Sequence, residues 1–246
     1  MTILSAYTSD IGVKPTHNED YVFVDEELGL FIIADGMGGH EAGEIASKMA
    51  VTTLNDLVSC ELQKNPQLSG VDIRSMLVEA VKTTNMRIYN AGQELEQKRQ
   101  MGTTLLALLV QSSIAYISHV GDSRAYLARQ GSLIRLTEDD SWNALLASKG
   151  LPPDLEGKGP MAHVLTQAVG HKPEVKPSFR EVILLPGDWL LLCSDGLWNM
   201  VPDSLISPIF NAPDAGPSDM VESLVAAAKE AGGKDNISVI AVHIAA

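Results

Sequence analysis

The sequence predicts an α+β domain, and two observations lead to this prediction. Long helical patterns occupy about residues 41–62 and 72–98, whereas short apolar runs separated by turns crowd the stretch from about 103 to 136. No linker, repeat or low-complexity tract interrupts the 246 residues. We therefore expect residues 1–246 to form one domain with a sizeable core.

Composition and charge restrict the possible functions. The chain is 45% hydrophobic and carries a net charge of −13, so nucleic acid phosphates would be repelled. A phosphorylated substrate would be repelled as well, unless bound cations reverse the local charge. Cys60 and Cys193 lack metal-ligand spacing and are expected to be buried, reduced thiols. The sequence shows neither a signal peptide nor a membrane span, so a cytoplasmic, membrane-free protein is expected.

The first half of the chain predicts three strands followed by two helices. Strands are expected at about 4–7, 21–24 and 30–34. The first helix should bury Ile45, Met49, Leu54, Leu57 and Val58, which recur at helical spacing. The second helix should begin near Asp72, which we interpret as an N-cap.

The second half predicts strands at about 103–110, 114–119, 123–128 and 133–136. Their close spacing favours an antiparallel meander. A short helix at about 142–147 and an irregular excursion at about 150–159 should follow. Buried strands at about 189–193 and 237–243, with a helix at about 218–231 between them, complete the pattern.

The most distinctive stretch is a buried strand that ends on Asp35. Glycine then fills three of the next four positions, at 36, 38 and 39. Such glycines allow a sharp turn and a close approach of backbone. An Asp beside bare backbone suits a metal or a phosphate, although a capping Asp in a simple turn is an equally good interpretation of this stretch alone.

Other aspartates repeat this placement beside apolar strands. Asp20, Asp195 and Asp235 each adjoin such a strand, and Asp122 lies between two strands. Any one of them is more often a turn or cap residue. Clustered together, however, carboxylates repel one another unless a cation neutralises them, and Mg²⁺ and Mn²⁺ prefer oxygen ligands. The set as a whole therefore predicts a divalent metal site.

Six motifs in chain order resemble those of the PPM (type 2C) metal-dependent protein phosphatases. They are Asn18-Glu19-Asp20, Asp35-Gly36-Met37-Gly38-Gly39-His40, Gly102-Thr103-Thr104, Gly121-Asp122-Ser123-Arg124, Ser194-Asp195-Gly196-Leu197 and Asp235-Asn236. Met37 in place of a histidine is similar to the bacterial branch. The resemblance implies a four-layer α-β-β-α sandwich, in which two antiparallel sheets are flanked by pairs of helices.

The resemblance also implies the ligands of two Mg²⁺ or Mn²⁺ ions and, as in many bacterial members, of a third. Asp35 would bridge the two core ions, the Gly36 carbonyl would complete one of them, and Asp195 and Asp235 would hold the first. These three aspartates are the expected catalytic residues. The other implied ligands are Glu19 and Asp20, mainly through metal-bound water, and Asp122 with Asp195 for the third ion. His40 and Glu41 would only shape the loop.

The chemistry implied by these ligands is direct hydrolysis. Two ions about 3.5–4 Å apart can activate a shared water as hydroxide and offset the charge of the phosphate. Other phosphatase mechanisms fit the sequence poorly. Neither Cys60 nor Cys193 has an Arg six positions later, as a cysteine phosphatase needs. Met37 occupies the place where an aspartyl-phosphate enzyme would need a second Asp after Asp35.

Some positions depart from the family pattern. Pro15 stands where the family commonly has a phosphate-binding Arg, so Lys14 or His17 is the candidate replacement, and a merely solvated Lys14 is an equal alternative. The run 139–141, Asp-Asp-Ser, replaces the more usual Asp-His-Ser. The excursion at about 138–165 lies where relatives carry a flap over the site.

These inferences combine into one hypothesis with two alternatives. We expect a phosphatase that acts on phosphoserine and phosphothreonine in proteins, opposes a bacterial Ser/Thr kinase and works as a monomer. A catalytically silent domain that binds phosphoproteins is the first alternative. The second is an enzyme of the same chemistry acting on a small phosphorylated metabolite.

Overall fold

The computed structural model describes residues 2–37, 41–94, 101–152, 161, 164–212 and 215–245, and for residue 41 its backbone alone. Its strands form two sheets, and helices cover the outer face of each. The predicted four-layer α-β-β-α sandwich is therefore confirmed. Within the described residues, no helix is long and apolar enough to cross a membrane.

The first sheet, called sheet I here, contains both ends of the described chain. Its strands are β1 (Thr2–Asp10), β7 (Arg124–Arg129), β8 (Ser132–Arg135), β10 (Trp189–Cys193) and β11 (Ile237–Ala245). They lie in the order β1-β11-β10-β7-β8, and every neighbouring pair is antiparallel.

The second sheet, sheet II, is built on the strand that carries Asp35. Its strands are β2 (Asp20–Asp25), β3 (Leu30–Met37), β5 (Leu105–Gln111), β6 (Ile114–Val120) and β9 (Ser178–Ile183), in the antiparallel order β2-β3-β5-β6-β9. The short β4 (Gly102–Thr103) pairs with the end of β3.

Strand β3 has an unbroken apolar run because both of its faces are buried. Phe31 and Ile33 enter the core between the two sheets, whereas Leu30, Ile32 and Ala34 pack under the helices of sheet II. Alternate side chains point to opposite faces of a strand, so a strand in an inner layer needs apolar residues at every position.

The helices form the two outer layers. Helices α1 (Glu41–Lys64) and α2 (Gly70–Glu94) pack on sheet II, and α6 (Pro217–Glu230) packs on sheet I beside the short α4 (Asp195–Trp198) and α5 (Asp203–Ile209). The remaining helix, α3 (Trp142–Ser148), buries no residue fully. Small residues at Ala42, Ala46 and Ala50 form part of the buried face of α1 and let it approach β3 closely.

Several sequence predictions need correction. The meander is wrong between β6 and β7, because the chain changes sheets there and β7 pairs with β10 instead. Ile45 is half exposed, because Ala42 and Ala46 lie on the inner face of that part of α1 instead. Cys60 is exposed, contrary to the expectation that both cysteines are buried, whereas Cys193 is buried. The N-cap of α2 is Ser69, whose hydroxyl accepts the N–H of Asp72, and Asp72 accepts the Ser69 N–H in return. Strand β9 and helices α4 and α5 were not predicted.

Candidate active site

The predicted carboxylates meet where the two sheets end side by side. Asp20 and Asp35 are direct cross-strand partners on β2 and β3. Asp195 follows β10, and Asp235 precedes β11 in sheet I. A cavity of about 990 Å³ opens at this edge, and its acidic lining consists of Glu19, Asp35, Asp122, Asp195 and Asp235, together with Glu174. Asp20 is buried beside them.

Glycine is required after two of these aspartates because other backbone lies against it. A Cβ on Gly36 would lie 2.2 Å from the Gly43 carbonyl oxygen of α1 and 2.6 Å from that of Glu19. One on Gly196 would lie 1.9 Å from the Asn236 carbonyl oxygen. Strand β3 continues through Gly36 to Met37, so this glycine serves close approach rather than the sharp turn that its sequence suggested.

Burial and mutual repulsion raise the pKa values of the two central aspartates. The pKa of Asp20 is raised to about 8, chiefly by burial and partly by the charges of Asp195 and Asp235, although hydroxyl hydrogen bonds offset some of this. The pKa of Asp35 lies well above its usual range because of burial, with further repulsion from Asp20, Asp195, Asp122 and Asp235. These four carboxylates are therefore close enough to act electrostatically on Asp35.

The motif Gly102-Thr103-Thr104 fixes the backbone of Asp35. The Thr104 hydroxyl accepts the Asp35 N–H at 2.9 Å, and the Thr103 hydroxyl donates to the Asp35 carbonyl oxygen at 2.9 Å. Thr104 N–H donates to the same carbonyl at 2.8 Å. Asp35 is thus held by both of its backbone polar groups at the point where β3 reaches the cavity.

Asp122 has its own supporting layer, which includes a tryptophan that sequence reasoning had left outside the site. The Trp198 indole N–H donates to the Asp122 carbonyl oxygen at 3.0 Å, and the Arg124 guanidinium lies 3.6 Å from the centre of the Trp198 ring. Burial raises the pKa of Asp122 to about 7, with further repulsion from Asp195 and Asp139.

The unusual run 139–141 supports the same loop. Asp139 forms a bidentate ion pair with Arg124, with N–O distances of 3.0 and 2.7 Å. Asp140 accepts the Gly121 N–H at 3.0 Å, and Ser141 accepts the N–H of Ala144 as the N-cap of α3. The second Asp of this run therefore binds the loop that presents Asp122.

Asn236 and Ser194 also position the acidic residues, and sequence reasoning did not assign them this role. The Asn236 amide oxygen accepts the Glu19 N–H at 2.8 Å, and its NH₂ donates to the carbonyl oxygens of Ile11 and His17 at 2.9 and 3.0 Å. The Ser194 hydroxyl donates to the carboxylate of buried Asp20 at 2.8 Å. Their adjacency to Asp235 and Asp195 in the motifs was the available signal.

The structure separates the two candidate phosphate ligands. His17 and Pro15 line the cavity, whereas Lys14 is exposed and is not part of the lining. The cavity lining also contains two cationic residues that the sequence did not indicate, Lys172 and Lys176. Gly38, Gly39, His40, the Glu41 side chain, His163 and most of the predicted excursion at 150–159 lie outside the described residues.

The donor set fits hard divalent cations. Among the described residues, no group of three or more His, Cys, Asp or Glu side chains already has the geometry of a metal site. The carboxylates nevertheless face one cavity, and burial together with their repulsion raises the pKa of Asp35; a bound cation would relieve this repulsion. Oxygen-only ligands of this kind suit Mg²⁺ and Mn²⁺.

Comparisons with known proteins agree with this site and fold. The family model described as protein phosphatase 2C matches residues 13–227. Protein phosphatase PhpP of Streptococcus pneumoniae is 41% identical over 241 residues, which cover 96% of this chain and 95% of PhpP. The solved serine/threonine phosphatase of S. agalactiae is 32% identical, with a TM-score of 0.89 and coverage of 98% of this chain and 99% of that one.

A further solved structure is the catalytic domain of the serine/threonine protein phosphatase PstP in complex with two manganese ions. It is 33% identical, has a TM-score of 0.83, and the match covers 99% of each chain. This chain belongs to the protein phosphatase 2C family, as its six motifs indicated. Its relatives named here include bacterial phosphatases from two Streptococcus species, so the resemblance to the bacterial branch is also confirmed.

Proposed function

We propose that this protein is a metal-dependent phosphatase that hydrolyses phosphoserine and phosphothreonine in proteins. The observation that carries this proposal is the convergence of Asp35, Asp122, Asp195 and Asp235 on one cavity, with Asp20 buried beside them. Family membership supports the phosphoprotein phosphatase class, because relatives covered along nearly their whole length are named a protein phosphatase and a serine/threonine phosphatase.

Each acidic residue has a specific role in this proposal. Asp35, Asp195 and Asp235 are the catalytic residues. Asp35 would hold both core ions, the Gly36 carbonyl would complete one of them, and Asp195 and Asp235 would hold the first. Glu19 and Asp20 would act mainly through water held by the ions, while Asp122 with Asp195 would hold a third ion. Bound Mg²⁺ or Mn²⁺ supplies water activation and charge neutralisation in such sites.

The chain itself orients and supports this machinery. Thr103 and Thr104 fix Asp35 by three hydrogen bonds, and Asn236 holds the backbone of Glu19. His17, which lines the cavity, is the proposed phosphate contact. Lys14 remains a weaker candidate because it is exposed and does not line the cavity.

The proposal extends to the setting of the enzyme. Because the substrates are phosphoproteins, a bacterial Ser/Thr kinase would supply them, and we propose that the phosphatase opposes such a kinase. We further propose that residues 1–246 form one catalytic domain that acts as a monomer in the cytoplasm. Gel filtration with light scattering would test the monomer.

Hydrolysis of a phosphothreonine peptide, measured with Mn²⁺ and with excess chelator, tests the main proposal. We expect release of phosphate only with the cation, and its loss in Asp35→Asn and Asp195→Asn. If the peptide is bound but never hydrolysed, the protein is a silent binding domain. If only small phosphate esters are hydrolysed, the substrate is not a protein.

A further inference from the structure

The cavity extends well beyond the space that one phosphate group needs. One part of its lining, called the acidic end here, carries Glu19, Asp35, Asp122, Asp195 and Asp235, and another part, called the second end, is formed by the chain between Val164 and Lys176. At about 990 Å³ its volume is at the upper end of the range for ligand pockets, which leaves room for residues on either side of a phosphorylated side chain. The residues of that second end are therefore in a position to contact the substrate.

This second end is firmly held. The buried side chain of Asn85 on α2 accepts the Gly170 N–H at 2.7 Å and donates to the carbonyl oxygens of Lys172 and Pro173, both at 3.0 Å. Asn85 is 1% exposed, so water does not compete for these bonds. They fix the loop between Gly170 and Pro173 against the helix.

Two further contacts hold the flanks of the loop. The Gln167 amide oxygen accepts the Lys176 N–H at 2.9 Å. Val169 and Thr103 exchange backbone hydrogen bonds of 2.9 and 3.0 Å, which join this segment to the strand that flanks Asp35. The segment is therefore preorganised relative to the acidic end of the cavity.

The exposed charges on this segment are mostly positive. Lys172, Glu174 and Lys176 are exposed and line the cavity, whereas Val175 is buried and anchors this part of the segment. Within the described part of the chain, neither lysine forms an ion pair. The two ammonium groups therefore add positive charge to the cavity lining, although the chain as a whole has a net charge of −13.

We propose that the segment between His171 and Lys176 is a substrate-recognition wall that binds the residues flanking the phosphorylated side chain and favours acidic ones. Lys172 and Lys176 would contact the acidic residues, and Glu174 would limit this preference. Asn85 would be a positioning residue for the wall. This inference rests on the proposed protein phosphatase function and names a substrate class for it.

The overall charge of the protein makes the opposite prediction, which sharpens the test. A net charge of −13 alone would repel acidic peptides and favour basic ones. A preference for acidic flanks therefore requires a local cause. It should also weaken at high ionic strength, because the lysines are exposed.

The experiment measures kcat/KM with Mn²⁺ for three phosphothreonine peptides whose flanking residues are acidic, neutral or basic, and for an aryl phosphate. For the native chain we expect acidic flanks to be preferred to basic flanks by about threefold to tenfold, the size of two exposed ion pairs. Lys172→Ala combined with Lys176→Ala should remove this preference through KM. Glu174→Gln should strengthen it, and aryl phosphate hydrolysis should change less than about twofold in both variants.

The matched control is Lys48→Ala combined with Lys64→Ala, which removes the same charge from exposed positions on α1 outside the cavity lining. It should keep the preference of the native chain. Equal or basic-preferring rates in the native chain, an unchanged preference in the double wall variant, or an equal loss in the control would overturn the inference. In each of these cases peptide hydrolysis itself would persist, so the proposed function would stand, whereas hydrolysis of the aryl phosphate alone would contradict that function.

Discussion

The change Asn236→Ala should weaken both the fold and the metal site. The side chain of Asn236 is 5% exposed and makes three hydrogen bonds, to Glu19 N–H and to the carbonyl oxygens of Ile11 and His17. A buried hydrogen bond contributes about 0.5–1.5 kcal/mol net, so three of them amount to about 3 kcal/mol. In a chain of this length, that loss lowers the melting temperature by about 6–12 °C.

The same change should lower metal affinity because Asn236 holds the backbone of Glu19, next to Asp20. Removing a residue that orients metal ligands typically costs about tenfold to a hundredfold in affinity. Thermal unfolding with excess chelator measures the first effect, and calorimetric titration with Mn²⁺ measures the second.

Two variants serve as controls for Asn236→Ala. Asn236→Asp keeps an acceptor for the Glu19 N–H but turns an oxygen towards two carbonyl groups, so it should destabilise at least as much. Asn211→Ala removes an exposed amide that makes one local bond, to the Ser207 carbonyl at 3.1 Å, and should change the melting temperature by less than about 2 °C. If Asn236→Ala behaves like Asn211→Ala, or if its Mn²⁺ affinity equals that of the native chain, the reasoning is wrong.

The remaining predictions concern charge and phosphate binding. Asp35→Asn should abolish phosphate release yet raise the melting temperature of the chelated protein, because it removes one of several repelling carboxylates; native turnover at saturating Mn²⁺ would contradict this. The raised pKa values of Asp20 and Asp122, about 8 and 7, mean that the metal-free native state holds protons that the unfolded chain releases above about pH 4. Its free energy of unfolding should therefore fall as the pH rises towards 8, while the stabilisation by Mn²⁺ should grow. Thermal unfolding with chelator and with Mn²⁺ across this pH range measures both trends, and a metal-free protein that becomes more stable towards pH 8 would contradict the prediction. His17→Ala should raise KM for a phosphopeptide by about twofold to tenfold and Lys14→Ala by less, and equal steady-state effects would refute the distinction drawn from the cavity lining.

Local sequence signals predicted the elements and the acidic residues well. Strand β10 was placed at its observed bounds, and the apolar run before Asp35 indicated a buried strand. The aspartates were recognisable because each adjoins such a run. Period and composition within about ten residues carry this information.

The errors arose where contacts between distant residues decide the structure. Strands β6 and β7 are only four residues apart, yet they belong to different sheets, because β7 finds its partner in β10 about sixty residues later. Likewise, Asn236 contacts Glu19 across 217 positions and Asn85 contacts Lys172 across 87. A single sequence gives no signal for such pairs, so the residues that support the site were missed although its acidic residues were found.

The structure also explains how a chain of net charge −13 can accept an anionic substrate. Asp35, Asp122, Asp195 and Asp235 face one cavity, where burial and repulsion raise the pKa values of Asp35 and Asp122 and where cations would be bound most strongly. Cations there would reverse the local charge and attract phosphate. The exposed Lys172 and Lys176 on the same cavity lining would also attract acidic residues that flank the phosphorylated side chain. The acidic character that would repel nucleic acid is therefore, at the site, what would recruit the cations that phosphate hydrolysis requires.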